Sequence, residues 1–526
     1  MSENTNVDTM VEYGLRRVII TLMASLCAIL ELLDTTIVNV ALNDLQGNFG
    51  STLSEVSWVV TAYGIGNVIV IPMTSWLSRQ FGRRNYFAAS IFIFTLFSFL
   101  CGQASNIPEL ALFRFLQGIG GGALLATSQT IITESFPAEK RGMANLIFMI
   151  SVIIGPALGP LLGGFIIDNY SWPLIFYINI PLGFIAILMT LQYVRSPKFA
   201  DKLSVSQVDW LGIFLLAISI GALQFVLEKG QEEDWFSNKY ITILSITAAV
   251  GFIAFVWREL VYPYPIVALK ALKNKNLAAG VIFSIIYGFG SYGSTFIVPL
   301  FTQSQLGWPA TDAGLLVCLT SLSSLIIFPI INKLLSVGIK PKMIMAMGMI
   351  IFFLNCYLSS KILTSDTGFV VFFYVLIFRY FGLNMILLSI SSISFSTLKT
   401  KEIAEGAAFT GMLRQLGGSF GIAIITTFIA RRNMLHRTNL VTYLNDDDQD
   451  LNNRISQSTQ FFKDTGMTSE IAKEYAHKAI DVAVNKQSVL LSYMDVYVVI
   501  GLLFLICVPF VLMLKTKVTS IIADKS

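Results

Sequence analysis

The stretch Ile29-Leu30-Glu31-Leu32-Leu33-Asp34-Thr35-Thr36-Ile37-Val38-Asn39-Val40-Ala41-Leu42 places two carboxylates inside a hydrophobic run from about 18 to 42. A run of that length crosses a bilayer as a helix, which takes about 20 apolar residues. Glu31 and Asp34 are three residues apart and therefore share one face of that helix. Each charge near the bilayer centre costs about 2.5–3.5 kcal/mol on insertion scales. A chain that keeps two of them there is expected to use them, and the default use is an ion or substrate pathway. That use requires both acids to line a cavity that water reaches.

The surroundings fit this reading. The chain has 526 residues, of which 55% are hydrophobic and only 13% charged, against about 25% charged in soluble domains. This is the composition of an all-α polytopic membrane protein, and nucleic acid is not an expected partner. The polar N-terminal stretch is short and the first span is long and charged, so an uncleaved anchor is expected, not a signal peptide. Cys27, Cys101, Cys318, Cys356 and Cys507 lie in apolar runs without Cys-x-x-Cys spacing. They read as packing residues, and no metal site is expected.

Hydrophobic segments recur at about 18–42, 54–77, 85–103, 107–132, 142–167, 172–194, 209–228, 238–257, 276–302, 311–335, 342–362, 368–396, 404–430 and 489–514, giving fourteen spans. With a cytoplasmic N-terminus, alternate connections carry Arg79, Arg83 and Arg84, then Lys140 and Arg141, and so on to Lys333, Lys340 and Lys342. The short connections on the opposite side hold only Lys229, Lys239 and Lys361. The positive-inside rule then predicts both termini in the cytoplasm.

Spans seven and eight sit between polar connectors, as if inserted between two six-span halves. The expected map is an N-terminal six-helix bundle over 1–200, a connector with two additional helices over 201–275, and a C-terminal six-helix bundle over 276–526. An external loop at 431–488 holds the acidic run Asp446-Asp447-Asp448-Gln449-Asp450 and a stretch, 470–484, that can form an amphipathic helix. It reads either as a solvated cap or as a docking surface for another envelope protein. Phe113-Arg114-Phe115 in span four and Phe378-Arg379-Tyr380 in span twelve echo one another. Repeated halves with a site between them are a transporter pattern.

Gly155, Gly159 and Gly163 in span five form a stripe that admits a neighbouring helix closely. Pro156, Pro160 and Gly164 interleave with it, and the doubled Gly-Pro turns predict a bend with a mechanical role. Gly82 with Arg83 and Arg84 predicts a constrained basic turn after span two. Gly118-Ile119-Gly120-Gly121-Gly122 matches a dinucleotide fingerprint on paper, but that motif needs a preceding strand and an aqueous helix start. Inside a hydrophobic helix it reads as packing.

Depth arithmetic brings two of the charges together. A helix rises about 1.5 Å per residue, which puts Asp34 about 12 Å below the outer end of span one and Arg114 about 9 Å below that of span four. The two are expected to pair if their helices are neighbours. Glu31 lies nearer the midplane, as do Arg379 and Arg414. Three arginines thus balance three acids, Glu31, Asp34 and Asp495. The plain alternative is that all six form structural pairs, although buried pairs stabilise poorly compared with apolar packing. Both histidines, His436 and His477, lie in the external loop, so proton handling falls to carboxylates. Glu31 is expected to take up the proton while Arg114 keeps Asp34 ionised.

These segments resemble the major facilitator superfamily, and within it the fourteen-span drug:proton antiporters of the EmrB/QacA type. Leu33 to Leu42 looks like that family's first-span motif, and Arg114 to Gly122 its span-four motif. Gly155 to Gly164 resembles its antiporter motif, Leu223 to Trp235 the loop after span seven, and Arg414 to Gly421 its span thirteen. Ser75 and Arg79 depart from the basic-turn motif, where a glycine and an acid are usual. The resemblance implies two six-helix bundles plus two inserted helices, and alternating access in a cytoplasmic (inner) membrane. It implies Asp34 and Arg114 as proton-coupling residues, which Glu31, outside the family's general motif, joins by its position, and Gly155, Pro156, Gly159, Pro160, Gly163 and Gly164 as the antiporter hinge. Gly82, Arg83 and Arg84 would form the gate turn, with Arg379, Arg414 and Asp495 as cavity charges.

The expected function is efflux of hydrophobic or cationic drug-like compounds in exchange for protons, with no cofactor beyond the proton gradient. The alternative is a same-fold exporter dedicated to one siderophore, lipid or metabolite. An enzyme is not expected, since no histidine lies within a span and the acids face arginines. Some relatives work with a periplasmic adaptor and an outer-membrane channel, and such partners are an expectation here.

Overall fold

A computed structural model describes residues 10–137, 140–196, 207–267, 269–398, 403–444 and 449–514. Among the described residues there is no strand, and fourteen helices are long and apolar enough to cross a membrane. In order they are Gly14–Leu42, Glu55–Phe81, Arg83–Cys101, Ile107–Ser135, Leu146–Asn169, Leu174–Tyr193, Trp210–Lys229, Lys239–Val261, Lys275–Ser304, Thr311–Leu335, Pro341–Ile362, Phe369–Phe395, Gly406–Thr442 and Ser469–Met513, hereafter spans one to fourteen. Local chemistry sets their starts. Thr52 and Glu55 form a reciprocal capping box before span two, and Asn106 accepts from the Glu109 amide before span four, each satisfying amides that a helix start leaves unpaired.

The two halves repeat one packing scheme. Span one lies along span five, span two along span four, and span three along spans four and six. In the second half, span nine lies along thirteen, ten along twelve, and eleven along twelve and fourteen. The halves meet through five against ten and two against thirteen, contacts that the same repeat interchanges. Spans seven and eight pair with each other, and seven leans on spans two and thirteen. This is an arrangement of two six-helix bundles with two inserted helices. The expected boundary at residue 200 lies outside the described residues.

Glycine permits the closest of these contacts. A Cβ on Gly159 would strike the Thr36 side chain, one on Gly155 would lie 2.7 Å from Leu32 Cβ, and one on Gly163 would lie 3.0 Å from the Ile37 carbonyl oxygen. The matching pair in the second half is built alike, with Gly417 against Ile285 and Gly421 against Phe289. The glycines of span four also serve packing: Gly118 and Gly122 abut span two, and Gly120 abuts span three.

The region 431–488 is not the loop expected from its polarity. Span thirteen continues as helix to Thr442, a separate helix covers Gln449–Asp464, and the last helix already begins at Ser469. Arg437 pairs with Asp481 at 2.6 Å, and Phe462 packs on Tyr475 with ring centroids 5.7 Å apart. The helical extensions are therefore zipped to one another beyond the apolar spans. Asp446, Asp447 and Asp448 of the acidic run lie outside the described residues.

Gly159→Leu is expected to cost about 1–3 kcal/mol through overpacking, read as a lower thermal midpoint in detergent. Gly411→Ala, where a Cβ meets open space, is expected to leave that midpoint unchanged or raise it.

Candidate functional site

Asp34 is 0% exposed, on span one. Its Oδ2 accepts from Arg114 Nη1 of span four. Its Oδ1 accepts from Gln117 Nε2 at 3.0 Å and from Asn179 Nδ2 of span six at 2.8 Å. Arg114 is satisfied in turn: its Nε donates to the Val59 carbonyl at 3.1 Å, and Nη1 also donates to Gln117 Oε1 at 2.8 Å. The guanidinium lies over the Tyr63 ring, 4.1 Å from its centroid. Spans one, two, four and six thus converge on one ion pair. Burying two charges is costly unless the remaining lone pairs and protons find partners, and here they do.

Glu31, one turn away, is placed differently. It is 5% exposed, and Oε1 accepts from Asn67 Nδ2 of span two at 3.1 Å. Among the described residues its Oε2 has no hydrogen-bond partner. Arg414 of span thirteen is an electrostatic neighbour across the seam between the halves. Arg414 also lines a cleft toward the end of the bundle where span one begins and span fourteen finishes, where Gln129, Phe148 and Met149 of the first half face Ser284, Tyr287, Ser391 and Thr410 of the second.

The structure therefore separates the two acids that the sequence groups together. Asp34 is fully buried among its partners within the first bundle, contrary to the expectation that both acids face water. Glu31 stands at the seam with a free oxygen. The cause is the neighbourhood of each turn: Asp34 faces amide and guanidinium donors on spans four and six, whereas Glu31 faces a single amide on span two.

The remaining charges also part company. Arg379 is 1% exposed, donates Nη1 to the Ser294 carbonyl at 2.8 Å, and stacks 4.6 Å from the Tyr380 ring centroid. Among the described residues its Nε and Nη2 have no hydrogen-bond partner. Asp495 does not meet the interior arginines. It pairs with Arg432 at 2.5 Å and with His436 at 2.7 Å, both on the extension of span thirteen. The expected three-against-three balance of the interior therefore fails, because the helical extension supplies Asp495 with its own partners. An imidazole accordingly sits on a spanning helix after all.

Gly82 sits at φ 82 between the last turn of span two and the first of span three. That left-handed conformation favours glycine. It lets Arg83 turn inward to pair with Glu134 at the end of span four, while the Arg84 amide donates to Ser196 Oγ at 3.1 Å. In span five the helix runs unbroken from Arg141 to Asn169 through Pro156 and Pro160, so the motif forms no break. Its glycines Gly155, Gly159 and Gly163 face span one, Gly164 is buried, and the Pro160 carbonyl abuts Gly314 of span ten. The motif is thus clasped between a helix of its own half and one of the other.

Asn67, Gln117, Asn179, Glu134 and Glu228 were not singled out from the sequence. Each is a polar residue in an apolar span, and the insertion cost that flags Glu31 flags them too.

A profile described as Major Facilitator Superfamily matches residues 24–422. The chain belongs to that superfamily. Relatives of this major facilitator chain match it over most of its length. It is 31% identical over 478 residues to "Multidrug export protein EmrB" of Escherichia coli (strain K12), covering 90% of this chain and 92% of that protein. It is 30% identical over 498 residues to "Fatty acid resistance protein FarB" of Neisseria gonorrhoeae, covering 94% and 96%. Among solved structures, the human organic anion transporter MFSD10 (TETRAN) superposes with a TM-score of 0.56 at 11% identity, covering 93% of this chain and 99% of that one. That last likeness is one of fold.

Asp34→Ala and Arg114→Ala are each expected to destabilise this facilitator by about 3–5 kcal/mol, since each leaves a buried charge unpaired. The double variant is expected to cost less than the sum of the two. A double-mutant cycle on thermal midpoints measures the difference.

Proposed function

We propose that the protein exports amphiphilic compounds in exchange for protons, by alternating access between the two bundles. One observation carries this reading: Glu31, nearly enclosed at the seam, keeps one oxygen unpartnered and lies near the cleft-lining Arg414. A carboxylate so placed can take a proton or give it up as the seam rearranges, while Asp34, Arg114, Gln117 and Asn179 keep the first bundle rigid. Kinship to a protein named for multidrug export supports the direction of transport. The proton gradient supplies the drive, with no cofactor. One elementary charge crossing about 100 mV gains about 2.3 kcal/mol.

In this reading both termini are cytoplasmic and the end carrying the helical extensions faces outward. The cleft lined by Arg414 then opens toward the cytoplasm. The extensions of spans thirteen and fourteen are where a periplasmic adaptor, leading to an outer-membrane channel, would dock. A second reading, an exporter dedicated to one physiological amphiphile, is favoured by the 30% identity to a protein named for fatty acid resistance. Resistance profiling against a drug panel, set beside transport of labelled fatty acids, separates the two.

In proteoliposomes, Glu31→Gln is expected to lower pH-gradient-driven efflux of a fluorescent amphiphile at least about tenfold, a loss of about 1.4 kcal/mol in driving or barrier terms. Its thermal midpoint is expected to stay near that of the wild type. Full efflux by Glu31→Gln would remove this residue from the mechanism.

A further inference from the structure

The contact of span two with span thirteen, the counterpart of that between spans five and ten, carries an additional helix. Span seven wedges into its outer part, leaning on both. At this wedge Glu228 lies near the outer end of span seven. Gln224 Nε2 donates to Glu228 Oε1 and, at 2.7 Å, to Ser419 Oγ of span thirteen. The Thr61 hydroxyl of span two faces the same carboxylate and is shared with the Ser57 carbonyl, 3.2 Å away. A Cβ on Gly64 would lie 3.2 Å from Glu228 Oε1, so span two closes over the carboxylate.

The segment that follows continues across the seam. Lys229 Nζ donates to Ser57 Oγ of span two and to Glu232 at 2.8 Å. Asp234 and Trp235 both adopt left-handed backbone, with φ of 53 and 51, a region that non-glycine residues seldom occupy. The turn lays the Trp235 ring on Gly230 and aims its Nε1 at Thr427 Oγ1 of span thirteen, 3.2 Å away. The inserted helix therefore holds both halves at once. The charged groups facing Glu228 are Lys229 and Glu232 of its own segment; span two presents Thr61 there, and span thirteen presents Ser419.

We propose that Glu228 is a second proton-responsive group of the transporter, which as a carboxylate ties span two to span thirteen and on protonation releases the outer seam. An ionised carboxylate only accepts hydrogen bonds, so it can hold the Thr61 hydroxyl and the Gln224 amide together. Once protonated, it keeps acceptor capacity but loses the charge that makes such bonds about twice as strong as neutral ones. The outward-opening movement, which draws span two away from span thirteen, then proceeds with weaker bonds to break. Glu228 is a positioning residue in this scheme: it acts on the seam, not on the transported compound. This rests on the proton-driven reading above.

The test is the distance between spin labels at Ser51→Cys, just ahead of span two, and Arg431→Cys on span thirteen, in a background lacking the native cysteines and in lipid nanodiscs, in alkaline and in acidic buffer. The unaltered joint is expected to give a short distance in alkaline buffer and a longer one in acid. Glu228→Gln is expected to give the long distance in both. Ser419→Ala, which cuts the same joint without changing a charge, is expected to lengthen the alkaline distance. If Glu228→Gln follows the same response to acid as the unaltered joint, or if that joint shows none, the assignment is overturned. Efflux by the wild type in proteoliposomes separates the two levels: no dependence on the pH gradient sinks the antiporter reading itself, whereas intact dependence with an unresponsive seam sinks only the role of Glu228.

Discussion

A carboxylate in a hydrocarbon layer must be neutralised or surrounded by donors, and the first bundle is built around meeting that demand at Asp34. Arg114, Gln117 and Asn179 all point at it, which fixes how spans one, four and six sit against each other. Removing any of these donors leaves a buried group short of a partner, at a cost of about 1–3 kcal/mol or more. The same demand is met only by half at Glu31. A single amide from Asn67 satisfies one of its oxygens, and the proposed exchange of a proton is assigned to this residue for that reason.

Glycine sets how closely the helices touch. Within each half, glycine stripes bring backbones into contact, Gly155, Gly159 and Gly163 against span one and Gly417 and Gly421 against span nine. Between the halves the Pro160 carbonyl meets Gly314 in the same close manner. The inserted span seven adds contacts of another sort, such as the side-chain hydrogen bond from Gln224 to Ser419, and bonds of that kind can be exchanged for water at modest cost.

The sequence made the span count, the apolar stripe of span five and the pairing of Asp34 with Arg114 legible, because length, spacing and helix rise are local quantities. It did not distinguish Asp34 from Glu31, since the difference lies in which side chains arrive from spans two, four and six. Asp495 was misplaced for a similar reason: its partners Arg432 and His436 sit on a helix that runs on past the apolar stretch, where polarity alone suggests a loop. Glu134 escaped notice because its partner Arg83 reaches it only through the left-handed turn at Gly82. The role of span seven at the seam is invisible in one dimension, because Gln224 and Ser419 are 195 residues apart.

The central claim is that Glu31 exchanges its proton with the arrival of substrate. The most direct measurement is the proton released when an amphiphilic cation, such as a fluorescent dye, is added to purified protein in weakly buffered detergent, followed with a pH indicator. Release from the wild type that disappears in Glu31→Gln, while the dye still binds, is the expected result. Dye binding with no proton release from the wild type, or release unchanged in Glu31→Gln, would contradict it.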